Sequence, residues 1–434
     1  MSWPGERVTP SSFWCELAWL DGAPAPDVLV EHRDGVITSV TPGAPAPPAV
    51  HRLAGCVLPG LANAHSHAFH RALRGRTHAG GGTFWTWRDA MYTLAARLDP
   101  DRYLALATAA FTEMLCAGWT AVGEFHYLPG LADAVRAAAD RVGVRLVLLE
   151  TLYLAGGPGQ ALSPAQQRFG HGGFDGWAQR VAAGRAADGA AVHSVRAVPP
   201  DALARVREAV GSRPLHVHLS EQPAENADCR AAYGCSPTRL LAETGVLGPT
   251  TTVVHATHVD VGDRSTLAGT GTAVCLCPTT EADLADGIGP ARELADAGCP
   301  LALGSDQHAV VDPFAEARAV EYGERLRSGK RGRFGPAELV SALTVGGHHA
   351  LGLPGGALAV GAPCDLVAVR RDSARTAGAD PAQLVLVAGA ADVHTVVVGG
   401  QVLVRDGRHV ELGEPGPLLA AAITAAWAQP VPAP

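Results

Sequence analysis

Histidines and acids recur at the ends of apolar runs in this chain. His65 and His67 flank Ser66 just after VLPGLANA. In an extended segment residues i and i+2 face one side, so both imidazoles can reach a single metal ion. His218 ends the apolar part of PLHVHLSE, with Glu221 three residues on. His216 shares the face of His218 but lies one layer deeper, which favours His218 as a ligand and leaves His216 a supporting role. Glu221 falls in the following loop, placed for proton transfer rather than coordination. His255 sits at the tip of TTVVHATH, His258 begins the next loop, and Asp306 ends PLALGSDQH. Imidazoles and a carboxylate oxygen form a good set for a divalent transition metal, zinc foremost, although iron and manganese accept similar donors. An isolated HxH carries little information. The ordered set HxH, HxxE, H and D carries a great deal.

These residues need elements that bring their strand ends together. From residue 57 short apolar runs alternate with Ala/Arg/Glu-rich stretches of helical pattern. The runs CVLPGL, TAVGEFHY, RLVLLETLY, VHSVRAV, PLHVHLSE, TTVVHATH, AVCLCP and PLALGSD read as eight buried parallel strands. Eight strands with intervening helices predict an α/β fold, a (β/α)8 TIM-like barrel, whose sites form at the C-terminal strand ends. The candidates then fall on strands one, five, six and eight. Residues 1–56 and 358–412 have β character and are expected to pair into one small β domain built from both termini, flanking a barrel over 57–357. Residues 413–434 contain LLAAAITAAW, which reads equally as a terminal helix or a frayed tail. The Gly/Pro-rich stretch 155–173 is expected as a long loop after the third strand, where barrels carry substrate loops.

Composition excludes several classes. The formal net charge is −8 and no Lys/Arg-rich run exists, which argues against a nucleic-acid partner. No apolar stretch of roughly 18 residues is present, so no membrane span is expected. The opening MSWPGERVTPSSFW lacks a basic region followed by an apolar one, and no CxxC pair occurs among nine cysteines. Both features suggest a reducing cytoplasm. Lys330 is the only lysine, so schemes that need an active-site lysine have almost nothing to work with.

The ordered metal motifs resemble those of the amidohydrolase superfamily. HSHAFHRALRG, FWTWRDAMY, GEFHY, HSVRAV, HVHLSEQ, VVHATH, CLCPTTEADLADGI and GSDQH narrow the likeness to the formimidoylglutamate deiminase family, over nearly the whole chain. FWTWR and CPTTEADLADGI are the most specific pieces. The resemblance implies a barrel of the metal-dependent hydrolase type and hydrolysis of N-formimino-L-glutamate to N-formyl-L-glutamate and ammonia in histidine degradation. It implies one divalent ion, Zn2+ foremost, on His65, His67, His218 and Asp306. Asp306 would also take the water proton, His255 would orient the nucleophile, and Glu221 would protonate the departing nitrogen. The substrate brings two carboxylates, for which Arg88 and Arg196 are the guanidinium candidates. Tyr127 and His193 are implied as hydrogen-bond donors. His70 stands where the family usually has glutamine, which bears on substrate preference rather than reaction type. A homodimer is implied as well.

Dinuclear members of the superfamily bridge two metals with a carboxylated lysine on the fourth strand. Here VHSVRAV offers His193 and Arg196 instead, so a one-metal site is expected. His78, His171, His308, His348 and His349 receive no role. The alternative function is another deaminase of the superfamily, acting on a purine, pterin or pyrimidine ring. A catalytically inert barrel would lack a ligand or proton carrier, and none is missing.

Overall fold

The computed structural model describes residues 9–78 and 82–428. The first eight residues of the opening, and residues 429–434 of the C-terminal segment, lie outside the described residues. Two eight-stranded sheets organise the chain. The first holds β5 (Leu61–Ser66), β6 (Trp119–His126), β7 (Arg145–Leu152), β8 (Gly189–Val192), β9 (Leu215–Leu219), β10 (Thr251–His255), β11 (Ala273–Leu276) and β12 (Leu301–Leu303). Each strand pairs in parallel with the next. A parallel bridge between Ser66 and Asp306 joins the last strand end to the first. The (β/α)8 expectation therefore holds. Every residue of β5, β6, β8, β9, β10 and β11 is buried, as helix-covered parallel strands require.

The outer helices start where the sequence supplies caps. Asp99 accepts the Arg102 N–H at 2.8 Å ahead of helix Pro100–Cys116. Asp312 accepts the N–H groups of Phe314 and Ala315 ahead of helix Pro313–Ser328, which stops at left-handed Gly329. A side-chain acceptor and a proline in the first turn satisfy N–H groups that no helical carbonyl can reach.

The second sheet runs β16-β15-β14-β13-β4-β1-β2-β3. Its strands are β1 (Ser12–Leu20), β2 (Ala23–Arg33), β3 (Val36–Thr41), β4 (His51–Pro59), β13 (Leu366–Val369), β14 (Val393–Val398), β15 (Gln401–Arg405) and β16 (Arg408–His409). Both termini thus build it, around a separate core that includes Phe13, Ile37, Leu53 and Val402. One strand expectation is corrected. CVLPGL does not form the first barrel strand, because Cys56–Pro59 end β4 and pair with β13, whereas Leu61 opens β5. The crossing point is Gly60, where a Cβ would lie 2.4 Å from Thr120 Oγ1.

The C-terminal segment forms a helix, Pro415–Trp427. Trp427 Nε1 donates to Ala72 O at 2.9 Å, and the guanidinium groups of Arg76 and Arg97 lie over its indole. Among the described residues no helix is long and apolar enough to cross a membrane. All nine cysteines carry free thiols. Lys330 lies exposed beyond helix Pro313–Ser328.

Candidate functional site

The C-terminal ends of β5, β9, β10 and β12 converge on one buried cluster. The closest approach is between β12 and β5. Asp306 N–H donates to His65 O at 2.9 Å, and His67 N–H donates to Asp306 O at 3.0 Å. Gly304 permits this contact, since a Cβ there would lie 2.7 Å from His65 O and 2.8 Å from His65 Cβ. Gly304→Ala is therefore expected to destabilise the protein by about 1–3 kcal/mol through overpacking, and to lower its metal content by pushing β5 and β12 apart. A melting and metal-content series checks this, and a variant with the parent Tm and full metal would contradict it.

His65 Nε2 and His67 Nε2 each lie 3.3 Å from Asp306 Oδ1. His218 Nε2 lies 3.1 Å from His65 Nε2. His67 Nδ1 donates to Phe125 O and His218 Nδ1 to His193 O, both at 2.9 Å, which leaves lone pairs on their Nε2 atoms. Burial, helped by neighbouring imidazoles, holds His65 and His218 well below the usual imidazole pKa and His67 at about 3. One ligand atom from each of the four residues lies within 4.8 Å of the others. Neutral imidazole lone pairs and a carboxylate oxygen aimed at one buried point repel each other unless a cation lies between them. The donor set fits a divalent transition metal held by three nitrogens and one oxygen. His216 points elsewhere and donates from Nε2 to Ala350 O at 2.8 Å.

His255 ends β10 with a φ of +72°, a left-handed conformation that is costly for a residue with a Cβ. Asp306 (+41°) and Ser220 (+50°) share that strain at neighbouring strand ends. His255 Nε2 lies 3.8 Å from both Glu221 Oε1 and Asp306 Oδ2. Burial works against a charge on this ring, but Glu281, Glu221 and Asp306 outweigh it and hold the pKa at about 10. Burial and the neighbouring Glu221 push the Asp286 carboxyl up to about 8, so it carries little negative charge at neutral pH.

Glu221 Oε2 accepts a hydrogen bond from Arg196 Nη2 at 3.1 Å. Arg196 does not lie on a strand as expected. It falls in the turn after β8, where Nε comes within 3.3 Å of Glu225 Oε2. Burial disfavours its charge, yet Glu225 and Glu221 keep its pKa above the ordinary value. Arg88 lies on helix Phe84–Arg97, which Thr83 caps. Its guanidinium carbon lies 4.5 Å from the Trp85 ring centre, and its buried Nε has no hydrogen-bond partner among the described residues. His70 Nε2 and Tyr127 Oη are 2.7 Å apart, and His193 Nδ1 is 3.1 Å from Ser194 Oγ. Except for His65, which lies fully buried beneath, all the candidate residues line one cavity. Ala155, Gly156, Gln166 and Phe169 from the long loop line it too.

Three acids went unread in the sequence. Glu124, in GEFHY, accepts from Ser66 Oγ at 2.8 Å and from Ala68 N–H at 2.7 Å, which braces the HSH segment. His308 Nε2 pairs with the same Ser66 hydroxyl at 3.0 Å. Glu225 accepts the Ser220 N–H at 2.9 Å while facing Arg196. Glu281, inside CPTTEAD, lies 3.3 Å from His255 Nδ1. Besides His308, two other histidines without roles have local partners: His78 pairs with Asp283, and His348 donates to Thr344 O.

Comparison with known proteins agrees with this geometry. The amidohydrolase family model matches residues 56–403. Formimidoylglutamate deiminase of Pseudomonas aeruginosa is 38% identical, over 92% of this chain and 96% of that protein. An 8-oxoguanine deaminase of the same species is 31% identical, over 81% of this chain and 82% of its own. The crystal structure of an amidohydrolase from Brucella melitensis superposes with a TM-score of 0.89 at 30% identity, covering 96% of this chain and all of that one. The chain belongs to the amidohydrolase family.

Proposed function

We propose that this protein hydrolyses N-formimino-L-glutamate to N-formyl-L-glutamate and ammonia. The polarity of the cavity is the observation that carries the reading. At the strand ends Glu221, Asp306 and Glu281 surround His255. The guanidinium groups of Arg88 and Arg196 line the same cavity, with Arg196 Nη2 3.1 Å from Glu221 Oε2. A formimino group is cationic and a glutamate tail is dianionic, so a cavity lined by both carboxylates and guanidinium groups offers a partner to each. The 38% identity to a formimidoylglutamate deiminase supports the same reading.

His65, His67, His218 and Asp306 would hold one divalent ion, Zn2+ by donor chemistry. When bound, that ion supplies Lewis acidity that makes water a competent nucleophile at neutral pH. Asp306 turns Oδ1 toward the imidazole ligands and Oδ2 toward His255, so Oδ2 is free to take the water proton. His255 Nε2 directs the oxygen at the formimino carbon. Glu221 passes the proton that left the water to the departing nitrogen, the carbon–nitrogen bond breaks, and ammonia leaves as the formyl carbonyl forms. Arg88 and Arg196 grip the two carboxylates, with His70, Tyr127 and His193 donating hydrogen bonds around them.

The test is product identity: one ammonia released with each N-formyl-L-glutamate, followed by proton NMR beside guanine and 8-oxoguanine. Turnover of the ring substrates alone would favour the ring-directed alternative. Arg88→Ala is expected to raise KM about 10- to 100-fold, the worth of a charged hydrogen bond, with kcat nearly unchanged. Equal KM for variant and parent would remove Arg88 from the carboxylate site. The reading also places the enzyme in cytoplasmic histidine degradation as a homodimer, which light scattering at twice the chain mass checks.

A further inference from the structure

We infer that Glu281 is the positioning residue for His255, fixing which ring nitrogen faces the reacting centre. The inference rests on the proposed reaction for its activity readout but on geometry for its substance.

His255 is the last residue of β10, paired there with Leu219 of β9, and its backbone is left-handed. The edge bearing Nδ1 meets Glu281 Oε1 at 3.3 Å. That same oxygen accepts the Cys277 N–H at 2.9 Å, which ties the carboxylate to the end of β11. The helix that carries it, Pro278–Asp283, is itself anchored. Thr279 donates its N–H and hydroxyl to the buried carboxylate of Glu316, at 3.0 and 2.5 Å. Thr280 Oγ1 donates to Ser305 O at 3.4 Å, next to Asp306. CPTTEAD thus links the position of His255 to the strand end that carries Asp306.

The opposite ring edge explains why orientation matters. Nε2 is buried, has no hydrogen-bond partner among the described residues, and faces the gap between Glu221 and Asp306. The His218 ring lies on its face, with centroids 5.7 Å apart and planes 19° apart. A carboxylate on Nδ1 accepts the proton that this nitrogen carries and opposes a ring flip that would exchange the two nitrogens. An acid or base held in this way by a third group is the general logic of oriented catalytic histidines. Glu281 touches neither substrate nor metal ligand in this scheme and acts through His255 alone.

The experiment is a double-mutant cycle on the holoenzyme. Glu281→Ala should lower kcat about 100-fold, in the range seen when an orienting partner is lost, with KM within threefold and metal content unchanged. Glu281→Gln keeps an acceptor for both Nδ1 and Cys277 N–H, so it should recover about tenfold of that loss. In a His255→Asn background either substitution should change kcat less than threefold. An equal penalty in both backgrounds would assign Glu281 to general structure and overturn the proposal, as would a parent-like kcat in Glu281→Ala. A second readout does not depend on the substrate. The 15N-histidine spectrum of the holoenzyme should show a protonated His255 Nδ1 that loses this character in Glu281→Ala. An unchanged resonance overturns the proposal even if the proposed substrate proves wrong. An inactive parent with the expected spectral change instead refutes only the substrate.

Discussion

Asp306→Asn is expected to fold, to bind its metal more weakly, and to lose about 10⁴-fold or more in kcat, the upper range for removing a positioned base. The fold should survive because the bonds that close the barrel at this point are made by backbone, from Asp306 N–H to His65 O and from His67 N–H to Asp306 O. The chemistry should not survive, because the two carboxylate oxygens do different things. Oδ1 sits 3.3 Å from the Nε2 atoms of His65 and His67, and Oδ2 sits 3.8 Å from His255 Nε2. An asparagine can keep its amide oxygen on the ligand side. Its amide nitrogen then faces His255 and accepts no proton. Metal analysis, Tm and kcat on one preparation check all three parts. A variant with full metal and kcat within tenfold of the parent would show that Asp306 is not the base.

The second large effect is at Glu221. Glu221→Gln should keep its full metal content and lose about 10³-fold in kcat, within the usual contribution of a general acid. Ammonia cannot leave as an anion, so the departing nitrogen needs a proton from a group that reaches it. Glu221 is held for that task from one side only, by Arg196 Nη2 on Oε2 at 3.1 Å. Oε1 faces His255 and the reacting centre. Glutamine preserves the bond to Arg196 and the shape of the cavity but carries no transferable proton. Retention of metal separates this variant from Asp306→Asn. Turnover within threefold of the parent would transfer the proton-delivery role to another group.

The positions of these residues were legible because barrel chemistry collects at strand ends, and each motif closed a short apolar run. HSH, HLSE, VVH and GSD could be assigned to strands one, five, six and eight without any contact information. What stayed hidden depends on contacts distant in sequence. CVLPGL is one continuous apolar run, and the break between the two sheets comes from Gly60 packing on Thr120, sixty residues away. Arg196 looked like part of a strand because HSVRAV alternates, but the barrel ladder stops at Val192. The C-terminal segment was ambiguous because LLAAAITAAW is apolar all round. Its partner, the docking of Trp427 on Ala72, decides the matter. Glu281 and Glu225 were visible as letters in specific motifs. Their partners, His255 and Arg196, are set only by the fold. The lone lysine proved informative in the other direction: Lys330 is exposed beyond an outer helix, and the fourth strand end carries His193 instead.

The most direct measurement is steady-state ammonia release from N-formimino-L-glutamate while metal is stripped by a chelator and restored stepwise. The account predicts that activity vanishes with the metal, returns with Zn2+, and saturates at about one ion per chain, the stoichiometry of a three-nitrogen, one-oxygen site. Full activity on this substrate in thoroughly stripped protein, or none at any metal loading beside ready turnover of 8-oxoguanine, would contradict it.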